Sequence, residues 1–194
     1  MTKLYISLLT SMLFLCFGIG VTYAAYSSLA TVSSNKFTVT GSSLGLLKDL
    51  TKGVGSSNIV TKLEGRDYSQ VTSGWSHDYL VKVHNGNSSP INLGSYNYYV
   101  TTNDVDDLRY YLNVEIFDWD DSNDNGLLDE AELGKSYDKK SFVKWKTQGY
   151  SLGELKESTT RGFVLRFSVD SIADSKLGAT GMFDFEFVDI PRGE

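Results

Sequence analysis

Twelve consecutive residues, Asp121 to Glu132, place oxygen donors at a spacing that could hold a metal ion. They read D-S-N-D-N-G-L-L-D-E-A-E and fit the pattern D-x-[DN]-x-[DN]-G followed by five residues and a Glu. Asp121, Asn123 and Asn125 fall on the first, third and fifth places of that loop. Gly126 falls where the chain must bend sharply, and Leu127 follows with a backbone carbonyl. Asp129 stands where a ligand often reaches the ion through water, and Glu132 closes the loop with a carboxylate that can bind through both oxygens. Calcium is a hard ion that takes about six to eight oxygens. The expected ligands are therefore Asp121, Asn123, Asn125, Leu127, Asp129 and Glu132, with Ca2+ as the cofactor. The competing reading is an acidic, glycine-containing turn that is merely solvated.

The elements that must position this loop are not those of a helical calcium sensor. From Leu108 to Phe117, apolar residues recur at every second position: Leu108, Tyr110, Leu112, Val114 and Ile116. That is strand periodicity. Leu133 and Gly134 follow Glu132 directly, which limits an exit helix to about one turn. A strand, a loop and a turn cannot swing open as a helix pair does. The expected role of the ion is a structural clip.

Other constellations offer little chemistry. The two histidines, His77 and His84, are seven apart and fall on opposite faces if they share a strand, so they cannot share a zinc ion there. There is no H-E-x-x-H, no serine is read as a nucleophile elbow, and Asp120 beside Asp121 reads as ligand or solvated charge. The expectation is a protein that is not an enzyme. Trp75, Trp119 and Trp145 could stack on sugar rings if exposed, and parity along the strand makes Trp119 the expected exposed one. Core filling is the other reading for all three.

The first residues point to export. Leu4 to Val21 is apolar apart from Ser7, Thr10 and Ser11, and Thr22-Tyr23-Ala24 places a small residue before a cut that would leave Ala25 first. The run is also long enough to serve as an uncleaved membrane anchor. Cys16, the one cysteine, lies inside it, so the exported chain would carry no disulfide and would need another staple. Without Lys3, 17 basic residues stand against 24 acidic ones, a net charge of −7. That balance argues against nucleic acid and anionic membranes as partners.

Along the remaining chain the code is mostly period two. Near the start, Phe37 and Val39 are followed by Leu44, Leu46 and Leu47. Tyr79, Val81 and Val83 alternate with Asp78, Lys82 and His84, a turn at Asn85 to Pro90 follows, and Tyr96, Tyr98 and Val100 come next. Phe163, Leu165, Phe167 and Val169 form another such run, and Phe183, Phe185 and Phe187 the last. Gly41 to Asn58 and Glu64 to Gly74 look loop-like, and Lys135 to Gly149 reads as a helical or irregular insertion. Strands separated by Gly, Asn and Ser clusters predict an all-β, antiparallel jelly-roll-like β-sandwich. The expected organisation is a signal peptide over 1–24, an N-terminal arm or donor strand over 25–34, and one sandwich domain over 35–194 with its inserted calcium loop at 121–132.

The junction Gly18-Ile19-Gly20-Val21-Thr22-Tyr23-Ala24-Ala25-Tyr26 resembles that of the TasA/camelysin family. The segment from Asn35 through Phe37 and Gly41 to Leu44 is similar to the family's next element. The strand running into Asn85-Gly86 and the closing strand Met182 to Val188 are similar as well, whereas the calcium loop is no part of the likeness. The resemblance implies a jelly-roll-like sandwich released by a dedicated signal peptidase. It further implies a secreted structural subunit of an extracellular fibre or biofilm matrix, with self as the partner and other matrix proteins as further ones. Some members are described as metallopeptidases, a less favoured alternative here. In the fibre mode the freed N-terminal segment adds as a strand to the next subunit. Ala25 to Ser34 has no charge, Pro or Gly and suits that role. Pairing within its own sheet, or fraying, is the other reading of the segment. A cell-surface adhesive or carbohydrate-binding module is the alternative function.

Overall fold

The computed structural model describes residues 30–32, 35–40, 43–99, 103–176 and 178–190. The apolar start, the junction at Ala24 and the parts of the arm at 25–29 and 33–34 lie outside the described residues. Fourteen strands and one α-helix are assigned among those described.

The alternating runs build two main sheets. In the first, β3 (Leu44–Leu47), β4 (Ile59–Val60), β7 (Ser76–Asn85), β9 (Leu112–Trp119), β10 (Leu133–Ser141) and β12 (Thr160–Val169) lie in the order β10-β9-β12-β7-β3-β4. In the second, β2 (Lys36–Thr40), β5 (Lys62–Glu64), β8 (Ile91–Tyr98), β11 (Tyr150–Leu155) and β14 (Asp184–Asp189) run β11-β8-β14-β2-β5. A small third sheet sets β1 (Ala30–Val32) between β13 (Thr180–Gly181) and β6 (Tyr68–Val71). The chain is an all-β sandwich, as the periodicity predicts. Its ladders are antiparallel except where the first strands meet the last: β1 runs parallel to β13, and β2 parallel to β14.

Inward-facing residues of both main sheets form one core that includes Phe37, Val81, Leu93, Ile116, Phe163, Leu165, Phe185 and Phe187. Aromatic packing at its centre uses the helix α1 (Phe142–Gln148). Ser141 caps it through a hydrogen bond from the Lys144 amide, and Gly149 ends it at φ +60°. A side chain at Gly149 would collide with the Tyr96 ring. Phe142 and Trp145, three residues apart, therefore face inward together. The Trp145 ring stacks 5.0 Å from Phe185, and its Nε1 donates to the Ser95 carbonyl at 3.0 Å. Trp145 is fully buried, so its apolar bulk and its one polar atom are both satisfied.

Several local expectations change. The run from Leu108 does not begin as a strand, because the buried Asp104 carboxylate accepts the Leu108 and Arg109 amides and winds Leu108–Tyr110 into a 3-10 turn. Strand β9 starts at Leu112. The region Lys135 to Gly149 divides into strand and helix. Strand β10 went unrecognised because it is a sheet edge whose outward positions are Lys, Ser and Asp, the composition that protects an edge from further pairing. The loop-like stretches Gly41 to Asn58 and Glu64 to Gly74 also contain β3 and β6.

Candidate calcium loop

Towards its C-terminal end β9 buries side chains on both faces, and this fixes the loop that follows it. Leu112, Val114 and Ile116 enter the main core, while Phe117 and Trp119 join Val164 in a second cluster on the far side of the same sheet. Leu50, Leu80, Leu128 and Leu133 pack against that cluster. Two loops cover the outer sheet face: the segment 48–58 and the segment 120–132. Asn58 organises the first, donating from Nδ2 to the Asp49, Lys52 and Gly53 carbonyls. Trp119 thus corrects the exposure expectation. Its parity is opposite to that of Ile116, but the loops bury that face too, and it is 4% exposed.

Within the second loop the predicted residues are brought together by their own hydrogen bonds. The Asp121 side chain is 1% exposed. Its Oδ1 accepts the Asn125 amide at 3.1 Å and its Oδ2 the Gly126 amide at 3.0 Å. Asn123 Oδ1 accepts the Asn125 amide at 2.9 Å, and Asn125 Oδ1 accepts the Leu127 amide at 2.6 Å. Asn123 Nδ2 donates to Asp129 Oδ2 at 3.1 Å. Short Asx-type turns of this kind curl the chain around its own side-chain oxygens. Asp124 and Gly126 take left-handed φ values of +53° and +69°. At Gly126 a Cβ would also lie 2.9 Å from Thr51 Cγ2, so the bend and the contact with the neighbouring loop both require glycine.

Glu132 is buried as a whole residue, at 6% exposure. It ends a 3-10 turn over Glu130–Glu132. Its Oε2 accepts Trp119 Nε1 at 3.2 Å and the Asp129 amide at 3.3 Å. Its Oε1 is buried with no hydrogen-bond partner. A buried carboxylate oxygen left without a donor is costly, and a cation is one group that would satisfy it. Among the described residues, no group of three or more His, Cys, Asp or Glu side chains is placed to hold a metal ion. Any ion here would depend on the Asn123 and Asn125 amides and the Leu127 carbonyl as well as on the carboxylates of Asp121, Asp129 and Glu132. Leu127 itself is exposed.

Sequence reasoning missed one cation in the site. Lys82 Nζ donates to Asp121 Oδ2 at 2.8 Å and to the Leu50 carbonyl at 2.9 Å, and it sits 5.3 Å from the Trp119 ring centroid. On β7 it alternates with Val81 and Val83 and reads as a solvated position. Only the sandwich brings it to a residue 39 places away. Burial opposes ionisation of Asp121, but the Lys82 ammonium and the Gly126 and Asn125 amides outweigh it and hold its carboxyl below the ordinary value.

The histidines stand apart, as their spacing predicts. Both lie on β7, where His84 Nδ1 is 3.1 Å from Thr160 Oγ1 and His77 packs against the Tyr68 ring. Ser43 does fall in a G-x-S-x-G spelling, Gly41 to Gly45. It leads into strand β3 rather than from a strand into a helix, and its carbonyl accepts the Gly86 amide.

His77 gives a pH prediction. Burial and the Arg66 guanidinium push its imidazole below the ordinary value of 6.5, against a weaker opposite pull from Asp78. The unfolded chain then protonates first and binds more protons. Stability contributed by the neutral ring is full above the unfolded value of about 6.5 and is lost as pH falls through the folded one. The thermal midpoint should drop as pH falls below about 6.5, and His77→Phe should flatten that slope. An identical slope in the variant would remove His77 as the cause.

No protein-family profile matches the chain, and no curated protein matches it. Among solved structures it is similar to the ASH / PapD-like domain of human CEP192 (PapD-like domain 7). The identity is 6%, the match covers 64% of this chain and 78% of that one, and the TM-score is 0.25. Among the described residues no helix is long and apolar enough to cross a membrane.

Proposed function

We propose that this chain is a secreted, calcium-stabilised structural β-sandwich that assembles into an extracellular fibre or matrix. The observation that carries the calcium part is the loop from Asp121 to Glu132, where side-chain oxygens curl around Gly126 and the buried Glu132 Oε1 lacks a donor. The loop joins β9 to the edge strand β10, so an ion held there clips two adjacent strands of one sheet. The export and assembly parts are supported by the apolar start and by the likeness of the junction and the following strand to the TasA/camelysin family. The role is structural and not catalytic. Trp119 and Trp145 are buried and offer no open face to a sugar ring, and Trp75 is half-buried against Tyr68, which leaves the carbohydrate-binding alternative only Trp75 among the tryptophans.

Calorimetric titration tests the calcium part. One ion should bind with a dissociation constant of roughly 10⁻⁴ to 10⁻³ M, the range of extracellular modules, because two of the first three ligand side chains are neutral amides. Glu132→Ala should abolish the heat of binding. Titrations that show no binding, or binding unaltered by Glu132→Ala, would exclude the site.

A further inference from the structure

We propose that Lys82 is a resident cation of the calcium loop, holding Asp121 in the ion-free protein and setting the loop's calcium affinity low. The inference rests on the calcium reading above and adds a control element that the loop motif does not contain.

The position of the ammonium carries it. Lys82 Nζ lies 2.8 Å from Asp121 Oδ2, 2.9 Å from the Leu50 carbonyl and 4.0 Å from Asp124 Oδ1. The Lys82 side chain is 12% exposed, so this is a largely desolvated pair. Asp121 is the residue that should open the calcium coordination. Its Oδ2 is already shared between Lys82 and the Gly126 amide, which leaves Oδ1, with its single amide donor from Asn125, as the better-placed ligand atom. A divalent ion on that carboxylate would sit close to a fixed positive charge, and water screens the repulsion poorly at such a site. The second indication of a ligand is independent of Lys82. The unpartnered, buried Oε1 of Glu132 lies on the same loop, and its sister oxygen binds the Trp119 indole that Lys82 overlies. One carboxylate is thus served by a built-in cation, and one oxygen of the other lacks a donor.

In the ion-free protein the lysine has a clear benefit. Without it, Asp121 would be a buried anion supported by two backbone amides alone, and breaking a buried pair by removing one partner is strongly destabilising. Lys82 therefore keeps the loop formed when calcium is scarce, and the same charge weakens calcium when it arrives. The expected behaviour is a loop that changes little in shape on binding and responds only to high calcium.

The test compares wild type, Lys82→Met and Lys82→Gln by calcium calorimetry and by thermal unfolding in calcium and in chelator. Lys82→Gln retains a donor for Asp121 or the Leu50 carbonyl while removing the charge, so it separates charge from packing if Lys82→Met folds poorly. Both variants should bind calcium about tenfold more tightly or better, a gain consistent with removing one unit charge beside the ion. Both should melt earlier than wild type in chelator and show a larger calcium-induced rise in midpoint. Wild-type affinity in both variants would overturn it and leave the calcium loop standing. Absence of binding in all three proteins would overturn the calcium reading and this inference with it.

Discussion

Calcium in hundredfold excess over its dissociation constant should stabilise the folded chain by about 2.7 kcal/mol relative to chelator. For a domain of this size that corresponds to a rise in thermal midpoint of roughly 5–10 °C. The loop's ligands are coupled to packed structure. The Glu132 carboxylate is hydrogen bonded to the Trp119 indole, and Leu128 and Leu133 pack against Phe117, Trp119 and Val164. Asp121 is tied through Lys82 to β7 and to the loop that carries Leu50. An ion that fixes these ligands fixes the cover over Phe117, Trp119 and Val164. It should act on the folded state, because an unfolded chain cannot hold Asp121 and Glu132 around one centre. Glu132→Gln should remove most of the rise, since one neutral amide oxygen replaces a bidentate carboxylate. A midpoint identical in calcium and chelator would show that the loop binds nothing or is uncoupled from folding.

The parts of this molecule legible in the sequence are those whose cause is local. Alternation along Tyr79 to Val83, Phe163 to Val169 and Phe183 to Phe187 marked β7, β12 and β14, because one face of each strand is buried and side chains repeat every two residues. The metal-loop residues were legible for the same reason: the hydrogen bonds that curl the chain between Asp121 and Asp129 reach no more than six residues along it. What could not be read depends on distant partners. Trp119 has the parity of an outward residue and is buried only because two loops fold over it. Lys82 looks solvated until Asp121 arrives beside it. Strand β10 carries almost no apolar signal, and its position is set by pairing with β9. The parallel meeting of the first and last strands has no sequence signature at all.

If the proposed assembly holds, the chain from Ala25 onward should form filaments, and a variant lacking residues 25–34 should form none. The described part of that segment, Ala30–Val32, is the middle strand of its sheet. Its Thr31 amide donates to the Ala179 carbonyl at 2.8 Å, it pairs with β13 on one side, and Ala30 and Val32 pair with Val71 and Tyr68 on the other. Ala30 and Val32 are buried in the main core. A slot of this shape accepts its own chain's strand or an identical strand from a neighbour, since every contact is the same in both cases. Only residues 33–35 separate β1 from β2, and a short connection of this kind favours exchange of the strand it holds. Exchange from each subunit to the next does not close on itself and gives fibres. The truncated protein should fold with a lowered midpoint, because losing Val32 alone removes about 1.5–3 kcal/mol of apolar burial. A synthetic peptide of residues 25–34 should bind it, restore the midpoint, and leave it monomeric, since a free peptide links no second subunit. Electron microscopy and light scattering decide the matter. Filaments from the truncated protein, or a full chain that stays monomeric at high concentration, would remove strand exchange as the mode of assembly. Failure of the peptide to bind would show that the slot does not accept this strand in trans.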